Sequence, residues 1–287
     1  MHKVWQAGCF VIFDLIGRIC TIDSRDITLK NSEMTEQSER TDQLMKELLI
    51  PASLGKLYGI FQAPSDSAPL IILSHGFNGC HLGNQDFADF FSAHGFATFC
   101  LDFCGGGIGS KSDGELKDMT VLTEAEDLNA VIDYFRPQFS EIFLWGASMG
   151  GFISSYVAAH RPQDVKALAI EFPAYVLQDD AKKRANPDGT FPETYSAMNT
   201  QISRKFNETA VSFDIYDVIG MYTGDVLIQH GDQDFLVPLS YSQKAAEVFP
   251  SAELVVLPGQ GHGFRDAGRA EAMERELAFF QKRSQKM

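Results

Sequence analysis

From about residue 46 onward, short apolar runs alternate with segments of helical spacing, and this alternation limits the fold more than any other feature of the chain. Residues 47–51 and 57–64 read as two strands around a turn at Gly55, and 70–74, 97–103, 142–145, 165–171, 226–230 and 253–257 as further short strands. Between them, residues 84–94, 122–135, 149–160, 240–248 and 269–281 carry helical patterns. Repeated strand–helix–strand units require crossover connections, which predict an α/β fold: a mostly parallel central sheet with helices on both faces. Active sites of such sheets gather beyond the carboxyl ends of the strands, so the residues just after each strand are where chemistry is expected. The alternation lapses once, over residues 175–220, a polar stretch too long for an ordinary connection; it reads as a small inserted cap.

Residues 1–45 stand apart from this pattern. The segment MHKVWQAGCFVIFDLIGRIC is apolar, but Gln6 and Asp14 interrupt it and no small-residue cleavage site follows, unlike a signal peptide. Its longest uncharged run, residues 4–13, is too short to span a bilayer. Residues 31–45 are polar and linker-like, and Met34 and Met45 are alternative starting points. The expectation is a non-catalytic extension over 1–45, packed either on the domain or on a partner subunit in a homodimer, and a single catalytic domain over 46–287. Cys9, Cys20, Cys80, Cys100 and Cys104 are odd in number and irregular in spacing, which points to reduced thiols in a cytoplasmic protein. Cys100 and Cys104 have no His or second Cys pair nearby in sequence to complete a zinc site. A formal net charge of −14 would repel a phosphate backbone and excludes nucleic acid as the expected partner.

Gly146-Ala147-Ser148-Met149-Gly150 fits G-x-S-x-G and lies between a strand and a helix, the context in which a serine is held on a sharp turn with its Oγ exposed. Ser148 is therefore the candidate nucleophile. After the strand at 70–74 comes His75-Gly76-Phe77-Asn78-Gly79. The backbone N–H groups of Phe77 and Met149 are the expected oxyanion donors, with His75 bracing the loop rather than acting as a base. His81 and His94 read as surface or helix-end residues. Two carboxylates follow the strand at 226–230: Asp234, far enough into the loop to reach an imidazole, and Asp232, better placed to hold the turn. Glu171 is a more distant third. His262, between two glycines after the last strand, is the candidate base. The chain order Ser148, Asp234, His262 is that of one class of serine hydrolases, and their joint chemistry needs no metal or cofactor.

Taken together, HGFNG, GASMGG, GDQDFLVP and GQGHGF resemble the α/β-hydrolase superfamily, over about residues 46–284. The segment LDFCGGGIGSKSDGELKDMTVLTEAEDLNAVIDYF, with its S-D-G, M-T-V and E-x-E-D blocks, is similar to bacterial cinnamoyl and feruloyl esterases. That resemblance implies a serine carboxylic ester hydrolase acting on small esters, hydroxycinnamoyl esters among them. It also implies a cap after the sixth strand that reads the phenolic end of the substrate. Residues 173–181 resemble the start of that cap, and by this match Asp180 would face the aromatic hydroxyl. Phe206 and Tyr195 are candidates either to flank an aromatic acyl group or to fill the cap's core. A peptidase or acyl-aminoacyl hydrolase of the same fold remains open, although about 45 residues before the core are too few for a gating domain. So do thioesterase and acyltransferase activities, and an inactive binding protein, which the intact candidate triad disfavours.

Overall fold

The computed structural model describes residues 9–13, 19–23 and 45–285, and the chain divides into two units, Met1–Met45 and Lys46–Met287. In the first, β1 (Cys9–Phe13) and β2 (Ile19–Asp23) pair antiparallel, with Cys9 opposite Asp23 and Phe13 opposite Ile19. The apolar spacing of these residues predicts no strands there. Residues 31–44 of the expected linker lie outside the described residues.

In the second unit β3 (Met45–Ala52), β4 (Gly55–Gln62), β5 (Leu70–Ser74), β6 (Ala97–Leu101), β7 (Ile142–Ala147), β8 (Ala167–Glu171), β11 (Asp225–Gly231) and β12 (Ala252–Leu257) form one sheet. Its order is β12-β11-β8-β7-β5-β6-β4-β3. The pairs from β12 to β6 are parallel, and β4 joins β6 antiparallel. The fold is the expected mostly parallel α/β architecture. The central strands are apolar throughout because both faces are covered. Leu70 and Ile72 of β5 lie in the core shared with α2 (Val121–Phe135) and α3 (Met149–His160). Ile71 and Leu73 point the other way, into a core closed by α1 (Gln85–Ala93) and α8 (Asp266–Arg283). Phe280 of α8 seals that side, fully buried among Phe91, Phe96 and Phe143.

Between β8 and β11 the chain builds the insertion: α4 (Leu177–Lys183), a hairpin of β9 (Thr194–Ala197) and β10 (Thr200–Ser203), then α5 (Arg204–Ala210) and α6 (Ile215–Ile219). The hairpin turns at Met198 and Asn199, both at positive φ, as a two-residue turn between twisted strands demands. These pieces are four to seven residues long, too short to carry a legible period. Helix α7 (Leu239–Val248) then follows β11.

Candidate active site

Ser148 sits between β7 and α3 at φ 54, ψ −120, a strained conformation for a residue with a Cβ. The strain is fixed by the surroundings. Its N–H donates to the Glu171 carbonyl (3.0 Å), and its own carbonyl accepts from Ala174 (2.9 Å) and Phe152 (3.1 Å). Close approach explains the flanking glycines: a Cβ at Gly146 would collide with the Gly150 carbonyl, and one at Gly150 with the carbonyls of Ser74 and His75. Gly76 leaves room beside the serine, since a Cβ there would lie 3.1 Å from that of Ser148.

His262 reaches this serine from the loop after β12. Its Nε2 lies 3.0 Å from Ser148 Oγ and its Nδ1 2.8 Å from Asp234 Oδ2. With Nδ1–H donating to the carboxylate, Nε2 is left free to accept the serine proton. Asp234 is itself anchored: its Oδ1 accepts from the N–H groups of Leu236 and Val237, both at 2.9 Å. Its Oδ2 also lies 3.3 Å from His230 Nε2. Burial works against the charged form of Asp234, but the contacts with His230 and His262 and the Val237 N–H outweigh it and hold the carboxyl well below the usual range. Asp232 instead accepts from Gly259 N–H at 2.7 Å and pins the β12 loop. Two supporting residues escaped the sequence reading. His230 looked like the end of a strand. Phe172, at φ 35, packs against the His262 ring at a 58° tilt with centroids 4.7 Å apart.

Across from the serine, neither Phe77 nor Met149 gives its backbone N–H to another group among the described residues. His75 is fully engaged: Nδ1 donates to the Gly76 carbonyl (2.8 Å) and Nε2 accepts from Phe103 N–H (3.1 Å). Burial pushes its pKa down, which keeps it neutral in this tautomer. His94 is exposed at the end of α1, as its sequence position suggested, but His81 is not a surface residue. It is buried, with Nδ1 2.8 Å from Asp102 Oδ1, and Cys100 Sγ donates to its carbonyl. A histidine therefore does lie beside Cys100 and Cys80, and donor atoms of Cys80, His81 and Asp102 fall within 4.8 Å of one another. The Asp102 oxygens are already occupied by the backbone N–H groups of His81 and Lys111, a loop-holding role. The signal for it was an aspartate directly after a buried strand.

A cavity opens beside Ser148 and His262, walled by Phe77, Met149 and the cap. Asp180, Tyr195 and Phe206 all line it, so the cap residues singled out in the sequence share the serine's cavity. Asp180 Oδ1 lies 3.0 Å from Lys183 Nζ. Phe206 is at once cap core and cavity wall, with its ring centroid 6.4 Å from that of Phe77. Arg184, not considered in the sequence reading, lines the same cavity. On the far side of the elbow, Glu171 is fully buried against Glu276 of α8. Among the described residues the His262 ring nitrogens meet Asp234 and Ser148, not Glu171.

Residues 65–216, just over half of the chain, match the family model described as serine aminopeptidase, S33. The chain belongs to this α/β-hydrolase family. The hydrolase superposes on Est1E from Butyrivibrio proteoclasticus with ferulic acid bound, at 26% identity and a TM-score of 0.74, covering 82% of this chain and 98% of that one. An esterase from Exiguobacterium antarcticum shares the fold at 19% identity and a TM-score of 0.64, with 82% and 100% covered. An uncharacterized 31.7 kDa protein from the traX-finO intergenic region of Escherichia coli is 38% identical over 109 residues. That stretch is 36% of this chain and 35% of the relative. Among the described residues no helix of the hydrolase is long and apolar enough to cross a membrane.

Proposed function

We propose that this hydrolase is a serine carboxylic ester hydrolase acting on small esters through an acyl-enzyme. One observation carries the reading: the unbroken hydrogen-bonded line Ser148–His262–Asp234 at the edge of a cavity lined by aromatic and aliphatic side chains. In this mechanism Ser148 Oγ bonds to the ester carbonyl carbon as its proton passes to His262 Nε2. The backbone N–H groups of Phe77 and Met149 stabilise the oxyanion, each worth about 3–4 kcal/mol. The C–O bond to the alcohol then breaks and His262 returns the proton to the leaving oxygen. Water attacks the acyl-enzyme by the same route in reverse, releasing the acid and restoring Ser148. Asp234 fixes the imidazole tautomer and stabilises the imidazolium.

Hydroxycinnamoyl esters are the substrate class we place first. Phe77, Tyr195 and Phe206 line the cavity with rings, and a fold relative above 25% identity binds ferulic acid. In this reading catalysis resides in residues 46–287, with the insertion as specificity cap and residues 1–45 as extension. Buried, free Cys80, Cys100 and Cys104 favour a reducing, cytoplasmic setting. The peptidase alternative draws on the family description, so the test includes an amide. Purified protein is assayed on methyl ferulate, methyl caffeate, p-nitrophenyl acetate, p-nitrophenyl octanoate and an aminoacyl p-nitroanilide, with Ser148→Ala as control. We expect ester turnover that falls by roughly 10⁵–10⁶ in the variant, as for loss of a serine nucleophile elsewhere. Faster cleavage of the anilide than of any ester, or an active and folded Ser148→Ala protein, would sink the proposal.

A further inference from the structure

The cavity beside Ser148 is lined by Arg184 as well as Asp180, and among the described residues Arg184 makes no ion pair. Arg184, the residue that closes α4, lies half-buried in the cavity wall. Its guanidinium rests over the Tyr195 ring, 4.5 Å from the centroid. Nη1 approaches Tyr195 Oη at 3.4 Å and Asn207 Oδ1 at 3.3 Å, both long for hydrogen bonds and both to neutral groups. Among the described residues no carboxylate lies within ion-pair distance of it. Asp180, one turn earlier on the same helix, is taken by Lys183.

Asn207 stands behind the guanidinium: it is fully buried and its Oδ1 faces Arg184. A guanidinium offers five N–H donors in a planar fork. Here they meet two weak neutral acceptors, in a cavity whose other walls include Phe77, Ile202, Leu236 and Val237. Arginine on an aromatic face, with its fork unfilled and partly removed from water, is suited to bidentate recognition of a carboxylate.

We propose that Arg184, backed by Tyr195 and Asn207, forms a carboxylate subsite, so that the preferred substrate is an ester whose cavity-held portion ends in a carboxylate, as in a half-ester of a dicarboxylic acid. This rests on the reading of Ser148 as the nucleophile of an ester hydrolase and refines the substrate class placed first there: the aromatic or extended acyl group is kept, and a carboxylate replaces the phenol as the preferred terminal group. The aromatic walls accept a flat or extended spacer. Arg184 selects what stands at its end.

The experiment compares kcat/KM within matched pairs: methyl 4-carboxycinnamate against methyl 4-hydroxycinnamate, mono-p-nitrophenyl adipate against p-nitrophenyl hexanoate, and 4-carboxybutyl butyrate against pentyl butyrate. The third pair moves the carboxylate to the alcohol side. We expect the wild type to favour the carboxylate member of at least one pair by about tenfold or more, the scale of a charged hydrogen-bonded contact. Arg184→Met should lower that ratio by about tenfold, chiefly through KM, and Arg184→Lys should restore part of it. A merely structural arginine would slow both members alike. That result, or preference for the neutral member in all three pairs, overturns the subsite. Calorimetric titration of monomethyl adipate into Ser148→Ala protein, with and without Arg184→Met, separates the two readings. If no ester is turned over, the hydrolase reading fails, yet binding that Arg184→Met abolishes still supports the subsite, and absence of binding removes it.

Discussion

At the scale of single residues, the site turns on which of two carboxylates, two positions apart, serves His262. Asp232 and Asp234 are the same residue type, both follow β11, and both accept backbone N–H groups, so composition cannot separate them. Geometry does: Asp232 accepts from Gly259, whereas Asp234 meets His262 Nδ1 at 2.8 Å and is held by Leu236 and Val237 behind it. If Asp234 sets the tautomer, Asp234→Asn presents an amide where a carboxylate should accept, and kcat should fall about 10³–10⁴-fold with a folded protein. Asp232→Asn keeps an oxygen acceptor for Gly259 and should cost less than about tenfold, through loop placement alone. Steady-state kinetics on p-nitrophenyl acetate for both variants decide it. The opposite ranking would reassign the orienting acid. Sequence made this choice legible because the two aspartates differ in distance from the strand. Phe172 and His230, which steady the imidazole and its partner, were not, since an aromatic after a strand and a histidine within one have many ordinary uses.

At the scale of elements, the strands and helices that bury one or two full faces were readable to within a few residues, because their apolar spacing is imposed by the sheet. Ends were less so. Strand β6 stops at Leu101 rather than at Phe103, since Asp102 turns its carboxylate to the N–H groups of His81 and Lys111. The cap's elements were invisible, being too short for a period to emerge. The segment that carried the esterase resemblance has a different lesson. Ser112 and Asp113 accept from the backbone of β4 and its turn, and Asp127 accepts from Ser53 and Cys104. Thr120 forms a reciprocal capping box with Thr123 at the start of α2. These blocks therefore hold the loop of residues 104–114 to the helix behind it and touch no atom of the proposed triad. Thr120→Ala should lower unfolding free energy by about 0.5–2 kcal/mol, as loss of a cap does, with kcat on p-nitrophenyl acetate unchanged. Chemical denaturation and steady-state kinetics test the pair of statements. A large fall in kcat with unaltered stability would give the motif a catalytic part that its contacts do not suggest.

At the scale of the whole molecule, the elbow and α8 are tied through a pair of acids in the core. Glu171, whose carbonyl holds the Ser148 N–H, and Glu276 of α8 are both fully buried. Glu171 Oε1 and Glu276 Oε2 have no donor among the described residues, while Gln229 donates to the other oxygen of Glu276 at 3.0 Å. A proton held between the two carboxyls would satisfy an orphan oxygen on each. Burial pushes the Glu276 pKa up to about 7, and burial followed by the neighbouring Glu276 pushes Glu171 well up. The sign follows from linkage. A carboxyl whose folded pKa lies above its unfolded value binds more protons when folded, so its contribution favours the native state below the unfolded value and is lost as pH rises through the folded one. Wild-type stability should therefore decline as pH rises above about 4.5 and through about 7, as charge is forced into the core beneath the serine. Glu276→Gln keeps an oxygen for Gln229 and an amide that can donate to Glu171, without a second ionisable group. Its Tm should lie above that of the wild type at pH 8.5, with the gap narrowing or reversing at pH 5.5. Calorimetry across that range measures the difference in slope. Parallel curves would mean that the two carboxyls do not share a proton, and that the link between α8 and the elbow is one of packing alone.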